Sequence, residues 1–279
     1  MTDDRQALDR ARALCDLGRP AEAMTVIAEV LGRSADNLAA WLVLSRARLM
    51  LGDDQQALRA AATAIGLAPD DPRPHALASM ALSHLGRHSD AVAAAERAVS
   101  CAPDDPVWHH RLAQTLLAGK IRPRDALRAA AQAVRLAPGH APFHVTYGTA
   151  AAACRRRRDA RRSLVTALEL DPLNVAARHE LARLAATGRG AYVVNLAEAV
   201  TSFAAALRLD PRHQVSRAAL DQIMRVFLIR TAYTVCLAAG IALTVAQHGQ
   251  PGIARCGAVA ALVLPSLVAL YTRTLGKRA

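Results

Sequence analysis

The stretch Leu67-Ala68-Pro69-Asp70-Asp71-Pro72 returns in close copies at four further places in the chain. The copies are Cys101-Ala102-Pro103-Asp104-Asp105-Pro106, Leu136-Ala137-Pro138-Gly139-His140-Ala141-Pro142, Leu170-Asp171-Pro172 and Leu209-Asp210-Pro211. Between the prolines at 69, 103, 138, 172 and 211 the spacings are 34, 35, 34 and 39 residues. A period of this length is typical of a helical repeat array.

The chemistry of this stretch explains why it recurs. Proline lacks the N–H group that a helix interior needs, and it biases the preceding residue away from the helical conformation, so one helix ends there. The neighbouring Asp side chains can accept hydrogen bonds from the first turn of the next helix. Each copy therefore ends one helix and caps its successor, and a period of this length holds two helices.

When the chain is divided into 34-residue segments that are aligned at these prolines, other positions of the segments also carry similar residues. In residues 38–71 position 4 is Trp41, position 15 is Gly52, positions 20 and 27 are Ala57 and Ala64, and position 32 is Pro69. This pattern resembles the tetratricopeptide repeat. The resemblance implies a tight turn at the glycine, small residues where two helices cross closely, and a large side chain at position 4.

Five other units follow the same frame, so the resemblance covers residues 4–213. Units 4–37, 72–105 and 141–174 keep the period, 106–140 carries one extra residue near Ile121-Arg122-Pro123, and 175–213 carries five extra around 188–192. Insertions in solenoids usually enlarge turns. The predicted fold is all-α, a right-handed superhelical solenoid of about six helix pairs over 1–213, followed by a capping helix and two C-terminal hydrophobic helices.

The composition agrees with close-packed helices. Of the 279 residues 53% are hydrophobic but only 3% are aromatic, and 33 of the 35 basic residues are arginine, a bias that we interpret as codon usage in a GC-rich bacterium. The five cysteines are odd in number and show no paired spacing, which favours a reducing compartment and argues against a zinc site.

The C-terminal part of the chain has a different character. Residues 214–230 continue as an apolar-faced helix that would cap the array, whereas 231–247 and 256–272 contain no charged residue. Seventeen helical residues span about 26 Å, close to the thickness of a hydrocarbon core. We therefore predict a transmembrane hairpin over 231–272 and a basic tail over 273–279. The alternative is a pair of buried helices packed on the repeats or inside a larger complex.

Charges beside the two hydrophobic runs predict the topology of that hairpin. The basic residues before the first run are Arg217, Arg225 and Arg230, and those after the second are Arg273, Lys277 and Arg278. The loop 248–255 carries only Arg255 and His248. Positive flanks stay in the cytoplasm, and the chain opens without a secretory signal. We expect a cell-membrane protein whose repeats and both termini are cytoplasmic and whose loop 248–255 lies outside.

Positive charge is concentrated in the middle of the chain. Residues 111–162 contain 12 Arg or Lys against Asp125 and Asp159. The densest part is a basic edge on a turn between two helices, consisting of Arg155, Arg156, Arg157, Arg158, Arg161 and Arg162. It could contact an acidic partner, nucleic acid or anionic lipid, or be a solvated turn. No aromatic residues interleave with it, so sequence-specific nucleic-acid binding is not expected.

Catalysis, metals and cofactors are not predicted. His75, His109 and His144 recur at position 4 of successive units. Neighbouring units lie about 10 Å apart, too far for ligands that must converge at about 2 Å on one zinc ion. We interpret this column as interlocking packing. The sequence contains no phosphate loop and no nucleophile elbow, so we expect neither an enzyme nor a cofactor.

Binding is the remaining function. In tetratricopeptide repeats the first helix of each unit lines a concave groove, and the resemblance implies that positions 2, 5, 9 and 12 point inward. The predicted partner-binding residues are Arg12, Leu42, Arg46, Met80, His110, Gln114, Thr149, His179 and Arg183. Arg12 and Arg46 could hold an acidic peptide, while Leu42 and Met80 offer apolar contact.

The sequence therefore predicts a membrane-anchored scaffold that mediates protein–protein interaction, with a protein or peptide as its partner. Two alternatives stay open. One is a soluble regulator or assembly factor whose hydrophobic C-terminal helices pack on the repeats or in a complex. The other is a binder of acidic surfaces that works through the basic edge.

Overall fold

A computed structural model describes residues 2–186, 192–212, 214–221 and 223–225. The helices of this part are α1 (Thr2–Asp16), α2 (Pro20–Arg33), α3 (Leu38–Met50), α4 (Asp54–Leu67), α5 (Pro72–His84), α6 (His88–Cys101), α7 (Pro106–Ala118), α8 (Pro123–Leu136), α9 (Ala141–Ala153), α10 (Arg157–Leu170), α11 (Val175–Ala186) and α12 (Tyr192–Leu209). Residues 214–221 and 223–225 are also helical, and the described residues contain no strand. The chain divides into two compact units, Met1–Leu184 and Ala185–Ala279.

The first unit is a solenoid of helix pairs. Each of the helices α1 to α9 packs on the next helix in the chain, and α1, α3, α5, α7 and α9 also pack on one another in succession. Within this unit no two of the helices α2, α4, α6, α8 and α10 reach comparable contact. We call the first set the inner helices and the second set the outer helices. The predicted all-helical solenoid of helix pairs is confirmed for this part of the chain.

Small side chains set the distance between the two helices of a pair. Ten residues at positions 20 and 27 of the first five units have no exposed surface. They are Ala23, Ala57, Ala91, Ala126 and Ala160 at position 20, and Val30, Ala64, Ala98, Ala133 and Ala167 at position 27. Gly148, at position 8 of the fifth repeat unit, lies at a further close approach. A Cβ atom at Gly148 would lie 2.6 Å from Cγ of Leu164 on the facing helix.

The proline-containing stretches act as predicted. Asp71 accepts a hydrogen bond from the backbone N–H of Arg73 at 2.8 Å, and Asp105 accepts one from Val107 at 2.9 Å. Pro72 and Pro106 occupy the first helical position, where a missing N–H costs nothing. One short segment therefore ends an outer helix and starts the next inner helix.

Position 4 carries a repeated hydrogen bond that the sequence-based prediction described only as packing. Its side chain donates to the backbone carbonyl six residues earlier, at the end of the preceding unit. The bonds are Trp41 to Ala35, His75 to Pro69, His109 to Pro103, His144 to Pro138 and Arg178 to Pro172, all at 2.7 or 2.8 Å. In the second compact unit of the chain, Arg217 donates to the Pro211 carbonyl at 3.0 Å. Each bond ties the start of an inner helix to the linker before it.

The turns inside the pairs share a left-handed residue at position 15. It is Gly18, Gly52 or Gly86 in the first three units, with φ between 73° and 76°, and Lys120 or Arg155 in the next two, with φ of 52° and 61°. The fourth turn also holds Arg122 at φ 48°. This second left-handed residue accommodates the extra residue, so the predicted insertion does enlarge a turn.

Two predicted features fall beyond this part of the chain. Most of the five-residue insertion falls in residues 187–191, and the predicted hairpin falls in 226–279. Both ranges lie outside the described residues. Among the described helices, none is both long enough and apolar enough to cross a bilayer. The hairpin and the predicted domain bounds therefore stay predictions.

Gly52 lies in a left-handed turn and Gly66 in a helix, and this difference predicts opposite effects when each is replaced by alanine. Gly52→Ala should destabilise the protein by about 1 kcal/mol, because an alanine is strained at this φ. Gly66→Ala should stabilise it by about 0.5–1 kcal/mol, because Gly66 lies inside helix α4, where alanine is the better helix former. Urea unfolding followed by circular dichroism measures both.

Neither glycine has a neighbouring atom within 4 Å of an added Cβ, so packing does not contribute to the comparison. Equal midpoints for the two variants would contradict a conformational role for Gly52.

Candidate functional site

A groove of about 360 Å³ runs across four successive inner helices, α1, α3, α5 and α7. Its apolar part is formed by Leu42 and Val43 of α3 and by Leu77 and Met80 of α5. These helices pack directly on one another, so they present side chains to a common surface. The groove is open to solvent along its length and suits an extended or helical peptide segment more than a small molecule.

Three arginines at the groove are already paired with carboxylates. Arg12 contacts Asp9 at 2.9 Å, Arg46 contacts Asp16 at 2.5 Å, and Arg73 donates to both carboxylate oxygens of Asp71. All three arginine side chains are about half exposed, so each pair contributes little to stability. A ligand carboxylate can therefore compete for them.

Arg111 of α7 differs from these three arginines. Its side chain is half-buried at the groove, and its hydrogen bond is to the side-chain oxygen of Gln114 at 3.0 Å. Among the described residues no carboxylate lies within ion-pair distance of it. Burial lowers the pKa of the Arg111 guanidinium below its usual value, because the buried charge is poorly compensated.

Trp108 carries an unsatisfied hydrogen-bond donor at the same groove. Its indole Nε1 is buried and contacts no hydrogen-bond acceptor in the described structure. Trp108 and Arg111 are three residues apart on helix α7, which places them on one face. A ligand carboxylate in the groove would give Arg111 a charged acceptor in place of the Gln114 amide, and it would reach the buried indole N–H of Trp108 only if the ring moves.

The predicted partner-binding residues are distributed over more than one site. Arg12, Leu42, Arg46 and Met80 lie together in the groove. Gln114 is exposed beside Arg111, the Thr149 hydroxyl donates to the Val145 carbonyl, and His179 is buried. Arg183 contacts Glu180 at 2.7 Å. None of these last four lines the groove.

Sequence reasoning missed Arg111 and Trp108. Positions 3 and 6 were not among the inward positions carried over from the resemblance, and only the start of the basic block at residue 111 pointed to this place. What singles out these two residues is that Arg111 lacks a carboxylate partner and the Trp108 indole lacks an acceptor. Both properties depend on which groups surround them in the folded protein.

His110, the remaining predicted residue, lies between α7 and α9. Its ring centroid is 4.9 Å from that of Phe143, which in turn lies 4.3 Å from that of His140. Burial lowers the pKa of His110 to about 4, with Arg111 and His140 adding electrostatic repulsion. His110 is therefore neutral at pH 7, and its Nδ1 atom is buried without a hydrogen-bond partner among the described residues.

The basic edge is exposed along its whole length. Arg156 lies 3.7 Å from Asp159, and Arg157 donates to the Leu184 carbonyl. Arg155, Arg158 and Arg162 make no ion pair in the described part of the chain. The edge is separate from the groove, since its arginines belong to α10 and the turn before it.

No group of three or more His, Cys, Asp or Glu residues in the described regions could hold a metal ion. The histidines at position 4 use Nε2 to bind the linker carbonyls instead.

Comparison with known proteins supports the repeat assignment. A family model described as tetratricopeptide repeat matches residues 14–81. Among curated proteins none matches this chain.

Solved structures share the fold at low sequence identity. PilW, described as a widely conserved type IV pilus biogenesis factor, is 14% identical with a TM-score of 0.64, and the match covers 78% of this chain and 98% of PilW. The APC/C heterotetramer Cut9–Hcn1 is 17% identical with a TM-score of 0.65, over 79% of this chain and 43% of the other. MamA from Desulfovibrio magneticus RS-1 is 18% identical with a TM-score of 0.51, over 62% and 98%.

The lowered pKa of His110 predicts a specific pH dependence of stability. Its folded-state pKa of about 4 lies below the value of about 6.5 in an unfolded chain, so the unfolded state binds more protons between pH 4 and 6.5. The stability present above pH 6.5 is lost as the pH falls through this window. Solvent reaches part of the ring and reduces the difference that these two pKa values alone would give. Between pH 7.5 and 5.0 the wild-type protein should therefore lose about 1 kcal/mol more than His110→Phe, which cannot be protonated there.

Urea unfolding of both proteins at the two pH values measures the difference. An identical loss in both would show that His110 is not held neutral by its surroundings.

Proposed function

We propose that this protein is an interaction scaffold that binds an acidic segment of a partner protein in the groove across α1, α3, α5 and α7. The observation that carries the proposal is Arg111, a half-buried cation without a carboxylate partner, beside the unsatisfied indole N–H of Trp108. Solenoids of this class use an extended concave surface for binding. A partner carboxylate supplies the charged acceptor that Arg111 lacks.

The groove also specifies what surrounds that carboxylate. Leu42, Leu77 and Met80 offer apolar contact, and Met adapts readily to different shapes. Arg12, Arg46 and Arg73 lie around this surface in half-exposed ion pairs, from which a ligand carboxylate can recruit them. The matching segment therefore alternates or clusters acidic and apolar side chains.

We propose further that residues 231–272 hold the scaffold at the cell membrane as a helical hairpin. The support is the sequence: two uncharged runs of seventeen residues, an eight-residue connection, and basic residues on both outer flanks. The repeats and both termini then face the cytoplasm, and 248–255 lies outside. A carbonate wash of isolated membranes tests the anchor, because a soluble or peripheral protein is released and an inserted hairpin is retained.

Because Arg111 has no carboxylate partner, we expect it to contribute more to ligand affinity than the other arginines of the groove. With a fluorescein-labelled decapeptide of alternating Glu and Leu as the probe, Arg111→Gln should weaken affinity about tenfold or more, since a charge-assisted hydrogen bond contributes about 1.5–3 kcal/mol. Arg12→Gln and Arg46→Gln should each cost less, because their charges are already compensated by Asp9 and Asp16. Fluorescence anisotropy measures all three.

Arg59→Gln is the matched control, since Arg59 is an exposed arginine on the outer helix α4. A decapeptide of alternating Gln and Leu tests the need for carboxylates. Equal affinity of Arg111→Gln and Arg59→Gln for the acidic peptide would refute the groove assignment.

The hairpin predicts a labelling pattern in intact cells. In a background without the native cysteines, Gln250→Cys should react with an impermeant thiol reagent and Ala279→Cys should not, because only the loop 248–255 faces the outside. Labelling only of Ala279→Cys would reverse the topology. Labelling of neither before lysis would favour the soluble alternative.

A further inference from the structure

The outer helices of the solenoid differ sharply in charge along the chain. The first three, α2, α4 and α6, together carry three arginines and five carboxylates. The next two, α8 and α10, carry seven arginines and three carboxylates. On α8 the exposed residues Arg124, Arg128 and Arg135 follow helical spacing along one face. The outer surface of the fourth and fifth pairs is therefore strongly basic.

A cleft of about 370 Å³ lies in the middle of this basic surface. It exists because α8 and α10 do not pack closely on each other, so the side chains of His144 and Tyr147 on the inner helix α9 line it between them. Arg135 of α8 and Arg162 of α10 line its two sides. The cleft belongs to the outer helices and shares no lining residue with the groove described above.

The cations around the cleft are mostly uncompensated. Arg162 has no carboxylate partner in the described residues, and the side-chain contact of Arg135 is with the neutral amide of Gln132 at 2.7 Å. Arg158, one turn before Arg162, is likewise without a carboxylate partner in this region. One carboxylate, that of Asp159, also lines the cleft, and it lies 3.7 Å from Arg156. Two arginines against one carboxylate leave the cleft with a net positive charge.

We propose that this basic outer surface docks on an anionic phospholipid bilayer, with a headgroup phosphate received between Arg135 and Arg162. The arginines of α8 and the basic edge before and within α10 supply the electrostatic attraction, and each arginine near such a surface contributes a factor of about five in binding. Arginine suits this role because its planar guanidinium binds phosphate oxygens in a two-point contact.

The occupant is a lipid surface and not a nucleic acid for a chemical reason. Binding of single strands depends on exposed aromatic side chains on which successive bases stack. The exposed residues of α8 and α10 include none, and the two rings that line the cleft, His144 and Tyr147, are half-buried on α9. Charge alone recognises a bilayer, where many phosphates are presented in one plane. This docking depends neither on a peptide in the inner groove nor on the hairpin, and it adds a second contact if the hairpin is inserted.

The test uses the full-length protein, in a background with its five cysteines replaced, and two matched label positions. Ala131→Cys lies on the exposed face of α8 at the cleft, and Ala62→Cys occupies the equivalent repeat position on α4, also exposed. A fluorophore on each is mixed with vesicles that contain brominated lipid, either pure phosphatidylcholine or phosphatidylcholine with 30% phosphatidylserine, and quenching is measured. Because insertion of a hairpin does not depend on lipid charge, the comparison between vesicles isolates docking by the basic surface.

The expected result is quenching at Ala131→Cys in the phosphatidylserine vesicles alone, lost in 0.5 M salt, with no such change at Ala62→Cys. The combined variant Arg135→Gln, Arg158→Gln, Arg162→Gln should weaken the contact about a hundredfold and abolish the quenching. Its thermal midpoint should stay near that of the parent, because the three side chains are exposed.

Three results would overturn the proposal. They are the absence of quenching at Ala131→Cys, equal quenching at Ala62→Cys, and unchanged quenching in the folded triple variant. Shielding of the Ala131→Cys label by single-stranded RNA, without quenching by lipid, would replace the bilayer by a nucleic acid.

Discussion

The close approach of two helix backbones within each pair is the constraint on which the solenoid depends. Alanine at positions 20 and 27 has no exposed surface in pair after pair, and a Cβ atom at Gly148 would collide with Leu164. Because these side chains are small, a pair buries too little apolar surface alone and must stack on its neighbours. The same constraint explains how a chain with only 3% aromatic residues builds a continuous core.

Stacking then determines where ligands can bind. The inner helices pack on one another, so their side chains form one continuous groove across α1, α3, α5 and α7. The outer helices do not, so a cleft opens between α8 and α10. One packing asymmetry therefore produces two separate surfaces, an apolar groove rimmed with arginine and a basic cleft. The linker hydrogen bonds at position 4 hold the inner helices in this arrangement.

Arginine is used differently on these two surfaces. In the groove, Arg12, Arg46 and Arg73 are balanced by nearby carboxylates, and the half-buried Arg111 is not. On the outer surface, unbalanced arginines are exposed, where an unpaired charge is well solvated. An exposed cluster attracts an extended anionic surface at low cost, whereas a buried cation recognises a single acceptor with higher specificity. The two surfaces thus suit partners of different kinds.

The sequence by itself determined the repeat period, the helix boundaries at the Pro and Asp residues, the small-residue columns and the concentration of positive charge after residue 110. These follow from local chemistry and periodicity, which a single chain displays in order. The resemblance to the repeat family also predicted that Arg12, Leu42, Arg46 and Met80 face the groove. Only the tertiary structure decided that Arg111 lacks a carboxylate partner and the Trp108 indole an acceptor, that His110 is buried, and that position 4 binds the linker carbonyls. Those properties depend on which groups meet across helices distant in sequence, and spacing along one chain does not encode that.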